Sequence, residues 1–162
     1  MRGALPEGVP SLPRWLLPWR SARPSPVHFV TWRLGPAQPR MSPRERDLVC
    51  AVLLHDHGER YDLIAFVVMD DHVHVLVRPR RVGIDRVIRS WQSLSAHQFE
   101  RLFRRVSPVW LDAGLRAVDG AAELRETAAG IIGNPWKRWP FNPGYRWVWE
   151  ADGDGRPGRD EP

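Results

Sequence analysis

Two histidines, His72 and His74, are separated by a single residue inside an apolar, β-branched segment that runs from residue 66 to residue 79. Residues of this kind favour β-strands. In a strand, the side chains at positions i and i+2 project from the same face of the sheet. The two imidazoles should therefore lie side by side, with Val73 turned into the core. Such a pair is suited to share one divalent metal ion.

The composition of the 162-residue chain, which is 43% hydrophobic, is typical of one globular domain. The single cysteine cannot form an internal disulfide, and this favours a reducing, cytoplasmic setting. No segment has the roughly 18 consecutive apolar residues that a membrane span requires. The sequence therefore predicts a domain over residues 26–150, a proline- and arginine-rich disordered arm at 1–25, and a disordered tail at 151–162, with no membrane association.

The formal charge of +5 and the sequence pI of about 10.5 come almost entirely from arginine, because Lys137 is the only lysine. Guanidinium groups match phosphate oxygens and stack on bases, and the chain also has nine tryptophans. These features favour a nucleic-acid partner. The base composition of the genome is an equally good explanation of the arginine bias, so the charge is weak support.

The pattern of apolar residues predicts the order β-α-β-β-α-β followed by a C-terminal helix. Strands are expected at 27–34, 61–69 and 72–78, and residues 109–111 and 115–118 are both possible short strands. Helices are expected from a Ser42 N-cap to about residue 57, from 84 to 103, and from about 121 to 133, where Asn134 and Pro135 should end the last one. This order predicts an α+β, ferredoxin-like (split βαβ) fold, an antiparallel sheet with helices on one face.

Asn134, at the end of the last predicted helix, is a candidate third ligand beside His72 and His74. An amide oxygen suits a hard ion such as Mg²⁺ or Mn²⁺, and imidazole suits Mn²⁺. A His-x-His pair on a strand is only moderately specific, because structural histidines also occur in this pattern. The central strand, the preceding acidic turn of Asp70 and Asp71, and the polar residue on a late helix together favour a metal site.

Several motifs of the chain, in this order, resemble those of single-tyrosine HUH transposases, and most closely the REP-associated tyrosine transposases. The resemblance covers roughly residues 27–150, and its motifs are residues 27–34, the His72-Val73-His74 hairpin, 90–93, 109–110, 123–126 and 134–135. It implies the ferredoxin-like fold and a divalent metal on His72, His74 and Asn134. It also implies activity on single-stranded or hairpin DNA, in which a tyrosine attacks the phosphorus, forms a 5′-phosphotyrosine link and frees a 3′-hydroxyl. Relatives include monomers and dimers, so the resemblance is compatible with a homodimer.

The chain departs from this family at the nucleophile. The resemblance implies a tyrosine four residues before Asn134, since residues i and i+4 share one helix face. That position is Gly130. The only tyrosines are Tyr61 and Tyr145, and neither has the expected helical relation to Asn134. We therefore expect a transposase-like protein whose tyrosine chemistry is lost or impaired. The alternatives are a non-catalytic DNA-binding regulator and a metal-dependent phosphodiesterase that uses water.

Two basic segments are candidates for DNA contact. Arg78, Arg80 and Arg81 follow the histidine strand and are expected near the site, where they would bind phosphate. Trp136, Lys137 and Arg138 interleave aromatic and basic residues, which can stack on bases and neutralise phosphates. For both segments a purely structural or solvated role is equally compatible with the sequence.

Overall fold

Five strands and four helices follow one another along residues 25–151, the part of the chain that the computed structural model describes. The strands are β1 (Val27–Arg33), β2 (Tyr61–Val68), β3 (His72–Pro79), β4 (Gly114–Val118) and β5 (Val148–Glu150). The helices are α1 (Pro43–His55), α2 (Ile84–Phe103), α3 (Gly120–Ile132) and α4 (Asn134–Arg138).

The strands form one sheet in the order β4-β1-β3-β2-β5, and all neighbouring strands are antiparallel. The first four strands have the order of a split βαβ unit, so the predicted ferredoxin-like α+β fold is confirmed. The short edge strand β5 was not predicted as a strand. The predicted arm and tail fall almost wholly on residues 1–24 and 152–162, which lie outside the described residues.

The sheet has a hydrophobic layer on each face. Helices α1 and α2 cover one face, where Val49, Leu53 and Trp91 pack against Val73 and Val75. Helix α3 covers the opposite face, where its buried residues meet Ile64 and Leu76 of the central strands. Because Val73 and Val75 face α1 and α2, the side chains that alternate with them along β3 face α3. The two histidines therefore lie on the α3 side.

The sequence around Ser42 accounts for the start of α1, whereas the structure corrects the prediction at the end of α3. Ser42 caps α1 as expected: its side chain accepts a hydrogen bond from Glu45 N, and the Glu45 carboxylate accepts one from Ser42 N at 2.7 Å. Asn134 and Pro135, however, begin the short helix α4 rather than end helical structure. The physical reason is that proline, which lacks an N–H donor, fits the first turn of a helix as well as the region beyond its end.

The candidate strand at 109–111 is also wrong, since Trp110 makes only an isolated bridge to Leu34. None of the helices in the described part of the chain is long and apolar enough to cross a membrane.

Candidate metal centre

The two histidine side chains of β3 lie next to each other on the α3 face of the sheet. The centroids of the His72 and His74 rings are 4.7 Å apart, and the ring planes are inclined by 69°. Both residues are half-buried. The spacing is the one expected from the alternation of side chains along a strand.

The Nδ1 atom of each imidazole has a polar partner. His72 Nδ1 lies 2.6 Å from Asp71 Oδ1, and His74 Nδ1 contacts Thr31 Oγ1, whose hydroxyl donates to Val73 O at 3.4 Å. A carboxylate, and a hydroxyl that already donates elsewhere, each accept a hydrogen bond from Nδ1–H. These contacts therefore favour the tautomer in which Nε2 carries the lone pair, and they hold each ring in one orientation. Metal-binding histidines are oriented by contacts of this kind.

The pKa of His74 is lowered to about 4, chiefly because the ring is buried and also because His72, Arg33 and Lys137 add positive charge nearby. The His74 ring also stacks on Phe29, with centroids 5.4 Å apart. At neutral pH, therefore, the His74 imidazole is uncharged. A neutral imidazole is the form that binds a metal ion.

Asn134, the first residue of α4, brings an amide group to the histidines. Its Nδ2 lies 3.3 Å from His72 Nε2. A half-turn of the amide about its Cβ–Cγ bond exchanges Nδ2 for Oδ1, so the oxygen can occupy the same place. The predicted third ligand thus lies within contact distance of the histidine pair, although it comes from a separate helix rather than from the end of α3.

Arg138, on α4, connects Asn134 to the turn between β2 and β3. Its guanidinium donates to both oxygens of Asp71, at 3.0 Å and 3.2 Å, and also contacts Asp70. Burial alone would raise the pKa of Asp71, but the hydrogen bonds from Arg138 and His72 outweigh it and hold that pKa well below its usual value. Asp71 is therefore a carboxylate that binds His72 on one side and Arg138 on the other. We call these four residues, Asp70, Asp71, His72 and Arg138, the turn clamp.

The backbone of the acidic turn is also fixed from the opposite side. Asp71 O accepts a hydrogen bond from Leu34 N at 3.0 Å, and Asp70 O accepts one from Met41 N at 2.7 Å. Asp70 and Asp71 therefore shape the turn, and Asp71 in addition orients the first histidine.

Gly130 opens onto a cavity of about 450 Å³ that is also lined by His74, Asn134 and Lys137. A Cβ atom built on Gly130 would meet no atom within 4 Å, and the backbone there does not have the positive φ that favours glycine. The helical pattern continues past this residue, because Gly133 N donates to Ala129 O at 2.9 Å. Gly130 and Asn134 therefore border the same space.

Both tyrosines of the chain have buried hydroxyl groups that are already hydrogen-bonded. Tyr145 donates to Val68 O at 2.6 Å, and Tyr61, on the face covered by α1 and α2, donates to Leu53 O at 2.8 Å. Burial raises the pKa of each phenol. Neither is presented to the histidine pair as a nucleophile.

The six basic and aromatic residues predicted to contact DNA do not form one surface. Arg78 lies four residues from His74 along β3, which is about 13 Å in a strand, so this segment is not beside the histidines as expected. Arg80 and Arg81 lie further along, and Arg80 pairs with Asp62 at 2.8 Å. Their predicted role in DNA binding stays a prediction.

On α4 the three candidates differ in their surroundings. Trp136 is exposed, Lys137 lines the cavity beside His74, and Arg138 belongs to the turn clamp. Thr31 and Arg33 were not singled out from the sequence. Both are aligned with the histidines only by the pairing of β1 with β3, in which Thr31 is opposite His74 and Arg33 is opposite His72.

The donor set decides which ions would fit. Within residues 25–151 no group of three or more His, Cys, Asp or Glu side chains is arranged to hold a metal. The candidate set instead has two imidazole nitrogens and one amide oxygen. This combination fits a borderline or hard divalent ion that keeps open positions for water or phosphate oxygens, and Mn²⁺ and Mg²⁺ are of this kind.

Comparisons with known proteins agree with the resemblance read from the motifs. The family model described as "Transposase IS200 like" matches residues 49–112, which include β2, the histidine strand and α2 but not α3 or α4. A solved structure of a REP-associated tyrosine transposase bound to a REP hairpin superposes with a TM-score of 0.58 at 15% identity, over 75% of this chain and 73% of that one. At that identity the match shows the fold alone. No curated protein matches the chain significantly.

Proposed function

We propose that this chain, which matches the IS200-like transposase family over residues 49–112, binds single-stranded or hairpin DNA at a divalent metal centre on His72, His74 and Asn134. We further propose that it does so without forming a covalent link to a tyrosine. The observation that carries the proposal is the proximity of two adjacent imidazoles and one amide beside a cavity onto which Gly130 opens.

The protein groups divide into ligands and supports. His72 and His74 would bind the ion through Nε2, and Asn134 through its amide oxygen, while Asp71 and Thr31 hold the rings in place. The ion would supply Lewis-acid polarisation of a phosphodiester oxygen. The neutral state of His74 at pH 7 supports this assignment, because a protonated imidazole cannot donate a lone pair.

The missing step is the nucleophilic attack. In the family that the chain resembles, a tyrosine oxygen forms a bond to phosphorus while the bond to the 3′-oxygen breaks. Gly130 has no side chain to perform this attack, and the hydroxyls of Tyr61 and Tyr145 are buried and hydrogen-bonded. A protein of this design would recognise the DNA of a transposase and act as a regulator or a competitor for its sites.

A second candidate function is hydrolysis, with water as the nucleophile. The cavity beside Gly130 favours it, since space that a tyrosine ring would occupy is open to solvent and is bordered by the carboxylate of Glu126. Water attack would release a free 5′-phosphate and a 3′-hydroxyl and leave no protein–DNA link.

One assay separates these functions. End-labelled hairpin and single-stranded oligonucleotides are incubated with the protein and Mn²⁺, and the products are analysed on native and denaturing gels. We expect a metal-dependent complex that His72→Ala abolishes, while the exposed His97→Ala on α2 serves as the control. Binding without cleavage supports the regulator, and cleavage without an adduct supports hydrolysis. An adduct that survives denaturation would contradict the proposal.

A further inference from the structure

The strand pairing brings an arginine to the histidine face of the sheet. Arg33, the last residue of β1, is directly opposite His72 in the register of β1 and β3. Residues directly opposite each other in an antiparallel pair project from the same face. Arg33 therefore extends from the same face as the two imidazoles, and it is exposed.

A second cation approaches the histidines from α4. Lys137 follows Asn134 by three residues and lines the cavity together with His74 and Asn134. It is exposed as well. The candidate metal centre thus has a cation from β1 and another from α4 beside it.

Three of the four nearby acidic residues are paired with other arginines, while the fourth, Glu126, lines the cavity without an ion pair among the described residues. Asp70 and Asp71 bind Arg138, and Glu123 binds Arg116 at 2.5 Å. Within residues 25–151, neither Arg33 nor Lys137 forms an ion pair or a side-chain hydrogen bond. Two cations without an anionic partner beside two imidazoles repel one another and repel a metal ion. A negatively charged ligand would remove that repulsion.

We propose that Arg33 and Lys137 form a seat for one phosphodiester group of single-stranded DNA next to the metal centre. This inference rests on the proposed function and assigns to it two residues that contact the substrate. The arginine offers a planar fork to phosphate oxygens, and the lysine offers a compact charge. The carboxylate of Glu126, which lines the cavity together with Lys137, would repel a second phosphate, so the seat takes a single group beside the histidines.

The test uses Arg33→Gln, Lys137→Gln and the double variant, with Arg89→Gln as the matched control. Arg89 is an exposed arginine on α2, the helix that covers the other face of the sheet. Binding of a fluorescent single-stranded oligonucleotide is measured by anisotropy over a series of NaCl concentrations, with Mg²⁺ present. Each cation that contacts a phosphate contributes about 0.7 to the slope of log K against log salt. We expect the slope to fall by about that amount in each single variant and by about twice that amount in the double variant, while the control keeps the wild-type slope.

A second measurement, the Mn²⁺ affinity of each variant by titration calorimetry without DNA, separates a phosphate seat from a purely structural role. Removal of a neighbouring positive charge should strengthen Mn²⁺ binding, so Arg33→Gln and Lys137→Gln should bind the metal several-fold more tightly and DNA more weakly. A damaged fold would weaken both. Wild-type slopes in both variants, or weaker Mn²⁺ binding in both, would overturn the seat while leaving the proposed function intact. Failure of the wild-type protein to bind the oligonucleotide would overturn both.

Discussion

Replacement of Gly130 by tyrosine should give this protein a covalent DNA-cleaving activity. The helix accepts the change, since a Cβ at this position meets no atom within 4 Å and the position is exposed. Glycine is about 1 kcal/mol less favourable than alanine inside a helix, and tyrosine about half that, so the substitution should stabilise α3 by roughly 0.5 kcal/mol. For a domain of this size that corresponds to a rise in melting temperature of about 1–3 °C.

The geometry sets where the new hydroxyl would lie. Gly130, Asn134 and His74 line the same cavity, so an introduced tyrosine should reach the space in front of the other two residues. Its oxygen could then attack a phosphodiester held there, with the 3′-oxygen as the leaving group and a 5′-phosphotyrosine as the product.

The assay follows a labelled hairpin oligonucleotide on a denaturing gel with Mn²⁺ present. Gly130→Tyr should give a protein-linked band, and Gly130→Phe, which supplies the same ring without the hydroxyl, should not. Addition of His72→Ala to Gly130→Tyr should remove the band. A folded Gly130→Tyr protein that binds the oligonucleotide and yields no adduct would refute the inferred register between Gly130 and Asn134.

Three further predictions concern the supports of the site. Arg138→Gln breaks the turn clamp and should weaken Mn²⁺ binding about 10- to 100-fold in calorimetry, the range for loss of groups that orient metal ligands. The control Arg146→Gln, which breaks an exposed ion pair with Asp47 of α1, should leave Mn²⁺ binding unchanged, and equal effects of the two variants would contradict the clamp. His74 stays neutral down to pH about 4 in the folded protein, whereas the same side chain takes up a proton near pH 6.5 in the unfolded chain. The free energy of unfolding, measured with urea in the presence of EDTA, should therefore fall by about 3 kcal/mol as the pH drops from about 6.5 to 4. A free energy of unfolding that does not change over this range would contradict the burial of this ring. Tyr145→Phe leaves Val68 O without its donor and should cost about 1–3 kcal/mol of stability while leaving DNA binding unchanged; loss of DNA binding at full stability would show that the hydroxyl has a direct role.

The parts of the fold that depend on local sequence could be predicted. The N-cap at Ser42, the apolar stripe of α2 and the acidic turn before His72 are encoded within a few residues, and all three occur in the structure. The order of these elements was enough to predict the sheet, because few topologies connect such an order without crossing. Strand β5 has only three residues, too few for a clear alternation.

The candidate site was predictable only where it is local. The histidine pair follows from the two-residue period of a strand, and Gly130 is identified by the position that the family resemblance gives to the tyrosine, four residues before Asn134. Thr31 and Arg33 meet the histidines through a strand register that spans about forty residues, and no local pattern encodes it. The pairing of Arg138 with the acidic turn likewise depends on how α4 packs, so the sequence could equally assign that arginine to DNA.

The most direct test of the account is an anomalous difference map from crystals grown with Mn²⁺. We expect one strong peak about 2.0–2.3 Å from the Nε2 atoms of His72 and His74 and from the amide oxygen of Asn134. A map with no peak at these three side chains, or with its only peak elsewhere in the molecule, would contradict the metal centre on which the proposed function depends.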